Sequence, residues 1–191
     1  MVRRFLGELD RLEIPYVVGG SFASSAWGES RQTNDLDIAV HISAQQGQDL
    51  ASALAEDFMI SGPEILQTLE DRNPYRSFQA LHFEEMFKVD VFVPHDTPFV
   101  RSEFSRARRI ELLPDLFVRC STPEDIVLRK LMWFELGNRV SDRQWNDIVQ
   151  VLEVQRITLD DGYLAKWAEE LGVADLLTEA LAQRTDEDPF A

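Results

Sequence analysis

A mixed β-sheet flanked by helices, followed by a helical subdomain, is the α+β (mixed α/β) fold class that this sequence predicts. Three observations predict it. Short β-branched and aromatic runs, Tyr16-Val17-Val18 and Phe87 to Val93 among them, alternate with segments of helical period as far as about residue 120. From Ser121 onward the helical signal is nearly continuous. The 191 residues, 45% hydrophobic and 28% charged, suffice for one substantial core or for a larger domain with a helical annex, and fit neither a disordered nor a fibrous class.

Residues 2 to 13 predict an amphipathic helix, with Phe5, Leu9 and Leu12 at helical spacing and Pro15 just beyond its end. Tyr16-Val17-Val18 is a short apolar strand that runs into the Gly19-Gly20 turn. Ser21 then offers an N-cap for a short helix over Phe22 to Trp27, which Gly28 closes. Asp35 to His41 predicts a second strand and Ala44 to Glu56 a helix. Phe58-Met59-Ile60, a Gly62-Pro63 break and a short helix over Glu64 to Leu69 follow. Ser77 to Phe83 and Phe87 to Val93, joined by Glu84-Glu85-Met86, predict an antiparallel hairpin. In its second strand Phe87, Val89, Val91 and Val93 share one face, and Lys88, Asp90 and Phe92 share the other.

Residues 107 to 119 read as one or two strands with a turn at Pro114-Asp115. Ser121-Thr122-Pro123-Glu124-Asp125 combines an N-cap, a first-turn proline and acids favoured by the helix dipole. Ile126, Leu128, Leu131 and Phe134 mark the buried side of that helix. Further helices are predicted over Arg143 to Val154, Asp161 to Leu171 and Ala174 to Gln183, with Gly172 separating the last two. The expected organisation is a sheet domain over 1–120, a helical subdomain over 121–185 and a frayed tail over 186–191.

Charge narrows the function classes. The formal charge of −15 is spread evenly, as 12 basic against 19 acidic residues up to position 120 (−7) and 7 against 15 beyond it (−8). Such a body disfavours broad binding to DNA, which rests on lysine and arginine neutralising phosphates. No run of about 18 apolar residues is present, so no membrane partner is expected. The amino terminus has no stretch like a secretion signal, and a cytoplasmic protein is expected. The single cysteine, Cys120, excludes an internal disulfide framework and reads as a buried apolar thiol.

The richest chemistry lies in Asp35 and Asp37, just downstream of Gly19-Gly20-Ser21. Side chains two apart on a strand share a face, roughly 6.5 to 7 Å apart along the backbone. Two acids on one such face are solvated, paired or metal-bound. A solvent-facing edge strand with Arg31 as partner is the bland alternative. Against it stands Asp90, a third acid on a strand otherwise made of phenylalanine and valine. Three carboxylates from two neighbouring strands suit hard cations such as Mg²⁺, which prefer oxygen ligands and keep positions open for substrate phosphates. Gly19-Gly20-Ser21 lets backbone amides and a hydroxyl approach a phosphate at a helix start, although a tight turn alone has the same short signature.

In this order, Gly19-Gly20-Ser21, Asp35-x-Asp37 and Asp90 within Lys88-Val89-Asp90-Val91-Phe92 resemble the motifs of the polymerase-β-type nucleotidyltransferase superfamily. The Arg31-x-Thr33-x-Asp35 phrasing is similar to that of small prokaryotic members related to the AbiEii toxins. The resemblance covers roughly residues 14 to 95 and continues more loosely through residues 121 to 154. It implies a nucleotidyltransferase-like fold and an enzyme that moves a nucleoside monophosphate from a nucleoside triphosphate to an acceptor: a small molecule, a protein or RNA. It implies Asp35, Asp37 and Asp90 as catalytic residues and as ligands of two Mg²⁺ ions, with Mn²⁺ as a substitute. Gly19, Gly20 and Ser21 would contact the β- and γ-phosphates, and Arg31 and Lys130 would assist in binding the nucleotide. Two further readings accompany it: a catalytically silent module that binds nucleotide or protein, and a tRNA-modifying toxin with an antitoxin protein as partner. The acidic surface weighs against the toxin, which would display a basic groove.

The remaining features read as structure. Lys130 divides evenly between a solvated helix surface and a phosphate contact, and Arg143 with Asp147, four apart, has the spacing of a helix salt bridge. Arg101, Arg106, Arg108 and Arg109, interleaved with Glu103 and Glu111, read as a solvated strand rather than an acceptor cradle. Trp133, Phe134 and Trp145 fall at core spacing, and His41, His82 and His95 form no zinc motif.

Overall fold

The computed structural model describes residues 1–28, 35–85 and 87–183. The chain divides into two compact units: the described parts of Met1–Ser21 with Thr33–Cys120, and those of Phe22–Gln32 with Ser121–Ala191.

The first unit carries one seven-stranded mixed sheet. Helix α1 (Val2–Arg11) precedes strand β1 (Tyr16–Val18), and helix α2 (Gly20–Trp27) begins directly after it. Strand β2 (Asp35–Val40), helix α3 (Ala44–Leu54), strand β3 (Phe58–Met59) and helix α4 (Gly62–Glu70) follow. Then come strands β4 (Ser77–His82) and β5 (Lys88–Phe92), helix α5 (Pro98–Arg106) and strands β6 (Arg108–Leu113) and β7 (Leu116–Cys120). Across the sheet the order is β3-β4-β5-β2-β1-β7-β6. The β2–β5 and β1–β7 pairs are parallel and the others antiparallel.

Period-two alternation decides which face is core. In β2 the residues Leu36, Ile38 and Val40 are buried while Asp35, Asp37 and Ala39 stand half-buried on the opposite face. β5 repeats this with Val89 and Val91 inside and Lys88, Asp90 and Phe92 outside. Phe78 and Ala80 of β4 continue the apolar layer. Each such side chain contributes about 1.5–3 kcal/mol by leaving water, so a one-residue slip that exchanged the faces is strongly disfavoured. α1 adds Phe5, Leu6 and Leu9, and Phe5 meets Phe58 edge-on with centroids 5.5 Å apart.

Local signals explain the helix starts. Ser43 caps α3 in a capping box with Gln46, whose side-chain amide also donates to the Leu12 carbonyl at 3.1 Å and so ties α3 to the end of α1. Ser43→Ala is expected to lower stability by about 1 kcal/mol, measured by urea unfolding. Thr97 and Pro98 start α5, a helix that the sequence reading does not contain. The same Ser/Thr-Pro signature is recognised at Thr122-Pro123, but a run of arginines obscures the helical period here. Arg101 and Arg106 therefore lie on a helix and only Arg108 and Arg109 on a strand, which corrects the single solvated strand expected. The turn at Pro114-Asp115 forms as expected, with Asp115 at φ 60°.

The second unit gathers α2 with helices α6 (Pro123–Leu136), α7 (Asp142–Val154), α8 (Asp161–Glu170) and α9 (Ala174–Leu181). Trp27 joins α2 to this unit, donating from Nε1 to the Ser121 carbonyl at 2.7 Å and accepting from Gln155 at 2.8 Å. Asp125 is fully buried and accepts from Thr122 Oγ1 at 2.7 Å and from the Tyr163 hydroxyl at 2.6 Å, which fixes α8 against α6. Phe134 and Trp145 pack with centroids 5.0 Å apart, and Cys120 is buried. Among the described residues, no helix is long and apolar enough to cross a membrane.

Candidate active site

The parallel pairing of β2 with β5 builds the site. Its register sets Asp37 opposite Asp90 and Asp35 opposite Lys88. The antiparallel β4–β5 register sets Gln79 opposite Asp90 on the other side. Directly opposed residues share a face, so Gln79, Asp90 and Asp37 form one row across three strands, with Lys88 and Asp35 in the next. All four charged residues are half-buried.

Hydrogen bonds fix the Asp90 carboxylate. Lys88 Nζ lies 2.6 Å from Oδ2, and Gln79 Nε2 donates to Oδ1 at 2.7 Å. A carboxylate accepts at about four lone-pair positions, so two such donors orient Asp90 without exhausting it. The bond to Asp90 raises the Lys88 pKa above the ordinary lysine value; burial opposes this, and the charges of Asp90, Asp35 and Asp37 add to the rise. Lys88 therefore feels all three acids of this face. Sequence reasoning placed Lys88 on the face of Asp90 but gave it no role. The pairing of Lys88 with Asp35 across the strands, which makes the role visible, depends on a register that the sequence does not display.

The glycine turn closes the other side of the row. Gly19 N donates to the Asp37 carbonyl at 2.9 Å, which continues the β1–β2 pairing one residue beyond β1. Gly20 turns the chain into α2 at φ +54°, and a Cβ built there would stand 1.9 Å from Asp37 Oδ2. Only a residue without Cβ lets the helix start approach this carboxylate. The helix begins at Gly20 rather than after Ser21, so Ser21 lies in its first turn and is not the N-cap the sequence suggests. The left-handed conformation of Gly20 makes the entry, which moves the helix start upstream.

The donor chemistry, oxygen only, suits a hard divalent cation: the three acids stand on one sheet face, and the Lys88 ammonium lies against one of them, Asp90. As the side chains lie, no group of three or more Asp, Glu, His or Cys among the described residues forms a ready metal cage.

Of the other expected nucleotide contacts, Arg31 lies outside the described residues, as does Thr33. Lys130 belongs to the helical unit, where it is buried and bonds Asp147 of α7 at 2.7 Å. That overturns the solvated-surface alternative for Lys130. The partner it gives Asp147 lies on another helix, not four residues away on its own. His95 makes a 3.3 Å contact with the Arg72 carbonyl, and His41 packs against Phe104.

No protein-family model matches the chain, and no curated protein matches it significantly. Solved structures do. The antibiotic-resistance factor ANT(2'')-Ia in solution aligns over 95% of this chain and 91% of its own, at TM-score 0.52 and 14% identity. A crystal structure of ANT(2'')-Ia in complex with adenylyl-2''-tobramycin aligns over 93% and 96%, at TM-score 0.53 and 14% identity. The lincosamide antibiotic adenylyltransferase LnuA, bound to lincomycin, aligns over 80% and 95%, at TM-score 0.50 and 14% identity. With its mixed seven-stranded sheet and accompanying helices, this chain has a nucleotidyltransferase-like fold.

Proposed function

We propose that the chain is a Mg²⁺-dependent nucleotidyltransferase that moves a nucleoside monophosphate from a nucleoside triphosphate to a hydroxyl group of a small-molecule acceptor. The observation that carries this reading is the register of β2 on β5, which sets Asp37 opposite Asp90 beside the bare Cα of Gly20. In this reading Asp35 and Asp37 bind the cation together with the triphosphate, and the amides of the Gly19-Gly20-Ser21 turn receive phosphate oxygens at the start of α2. Held by Asp35 and Asp37, such a cation would supply neutralisation of the charge on the phosphoryl group and pyrophosphate. Asp90, oriented by Gln79 and Lys88, accepts a hydrogen bond from the acceptor hydroxyl and takes its proton. The acceptor oxygen forms its bond to the α-phosphorus as the bond to pyrophosphate breaks.

A small-molecule acceptor is favoured for two reasons. Two of the fold neighbours hold antibiotic molecules, one being in complex with adenylyl-2''-tobramycin and the other bound to lincomycin. The net charge of −15 is poorly suited to an RNA acceptor. A toxin role with an antitoxin partner has no feature of its own here.

The test is release of pyrophosphate, and of labelled adduct, from each of the four nucleoside triphosphates with Mg²⁺ and a panel of polyhydroxylated amines and sugars. Chelation of the metal is expected to stop release, and Asp35→Ala to abolish metal-dependent triphosphate binding while the circular dichroism spectrum is kept. Triphosphate binding indifferent to both Mg²⁺ and Asp35→Ala would overturn the reading. Binding without release for any acceptor would favour the silent module.

A further inference from the structure

Lys88 is a cation built into the acid row. It sits two residues before Asp90 on the same face of β5, its Cα pairs with Asp35 across the strands, and its ammonium is 2.6 Å from Asp90 Oδ2. The other Asp90 oxygen is held by Gln79 at 2.7 Å, which restrains the carboxylate from turning away. We propose that Lys88 stands in for one of the two cations of this site, so that the chain binds a single divalent ion at Asp35 and Asp37 and uses the ammonium as the second positive charge at Asp90. The inference rests on the nucleotidyl-transfer reading above and deepens it.

Geometry supports a single ion: a second divalent ion would have to bind a carboxylate that already carries an ammonium at contact distance, where repulsion between like charges is steep. An ammonium is a compact point charge with three donor hydrogens, so it can hold Asp90 and still face incoming phosphoryl oxygen. It has no ligand positions to fill and does not dissociate. Gln79 is a neutral donor and occupies the other Asp90 oxygen. Lys88 acts on the acceptor side through Asp90 and is a positioning residue.

The experiment counts Mn²⁺ bound per full-length chain by equilibrium dialysis, with electron paramagnetic resonance to detect spin coupling between neighbouring ions. Wild type is expected to bind one ion without coupling, and Lys88→Met two ions with the broadening of a coupled pair. Lys88→Arg, which keeps the charge, is expected to return the count to one. Lys88→Gln provides a second neutral variant should Lys88→Met fail to fold. Two coupled ions in wild type, or one ion in the wild type and both neutral variants alike, would overturn the role of Lys88 and leave the transfer reading standing. No Mn²⁺ bound by any form would overturn that reading too.

Discussion

Gly20→Ala is expected to abolish most of the transfer activity while leaving a folded but weakened protein. The new methyl group would lie 1.9 Å from Asp37 Oδ2, 2.4 Å from Cγ and 2.6 Å from Cβ. No rotation of the methyl relieves such a contact, so either Asp37 leaves its place in the row or the helix start retreats. Backbone strain adds to this, because alanine at φ +54° occupies a region L-residues disfavour. Together these are expected to lower stability by about 2–3 kcal/mol, read as a lower urea midpoint. Displacing Asp37 by an ångström is expected to lower kcat/KM about 100-fold or more. Asp37→Asn is the companion measurement: it keeps the shape and removes the charge, with an expected loss of about 1,000-fold in rate and little change in the midpoint. Wild-type activity in Gly20→Ala would place the reaction away from this row.

Asp147→Ala is expected to destabilise the helical unit strongly. Lys130 and Asp147 are almost wholly buried, with side chains 10% and 13% exposed, and their contact of 2.7 Å joins α6 to α7. Removing one partner strands a charge in a poorly hydrated place, which typically costs about 3–5 kcal/mol. Removing both charges avoids that penalty, so Lys130→Met combined with Asp147→Leu is expected to stay within about 1–2 kcal/mol of wild type. Urea unfolding of wild type, Lys130→Met, Asp147→Leu and the double variant completes a double-mutant cycle, and a strong coupling energy is expected. Additive losses would show that the ion pair is incidental to the packing of the two helices.

How much of this was legible depends on the range of the interactions. The hairpin of β4 and β5, the turn at Asp115 and the helices after Ser121 follow from patterns within a few residues of one another: alternation, a turn pair, caps and a helical stripe. The alternation in β2 and β5 likewise sorted Asp35, Asp37, Lys88 and Asp90 to one face of their strands before any pairing was known. α5 was missed because its apolar stripe is thin, with Phe99 and Val100 buried beside the charged Glu103. Ser21 was misplaced because a cap residue two positions into a candidate helix looks the same in sequence as one before it. What separates them is the positive φ at Gly20, where the helix begins.

Sequence by itself determined the fold class, the order of most elements and the face on which the acids of β2 and β5 lie, since these rest on local period and local chemistry. Tertiary structure alone decided the register that sets Asp37 opposite Asp90 and Asp35 opposite Lys88, the ion pair of Lys88 with Asp90, and the burial of Lys130 against Asp147. Residues that meet across strands and helices leave no mark in the spacing of either segment. Their partnership exists only once the apolar faces have packed and the pairing has been chosen.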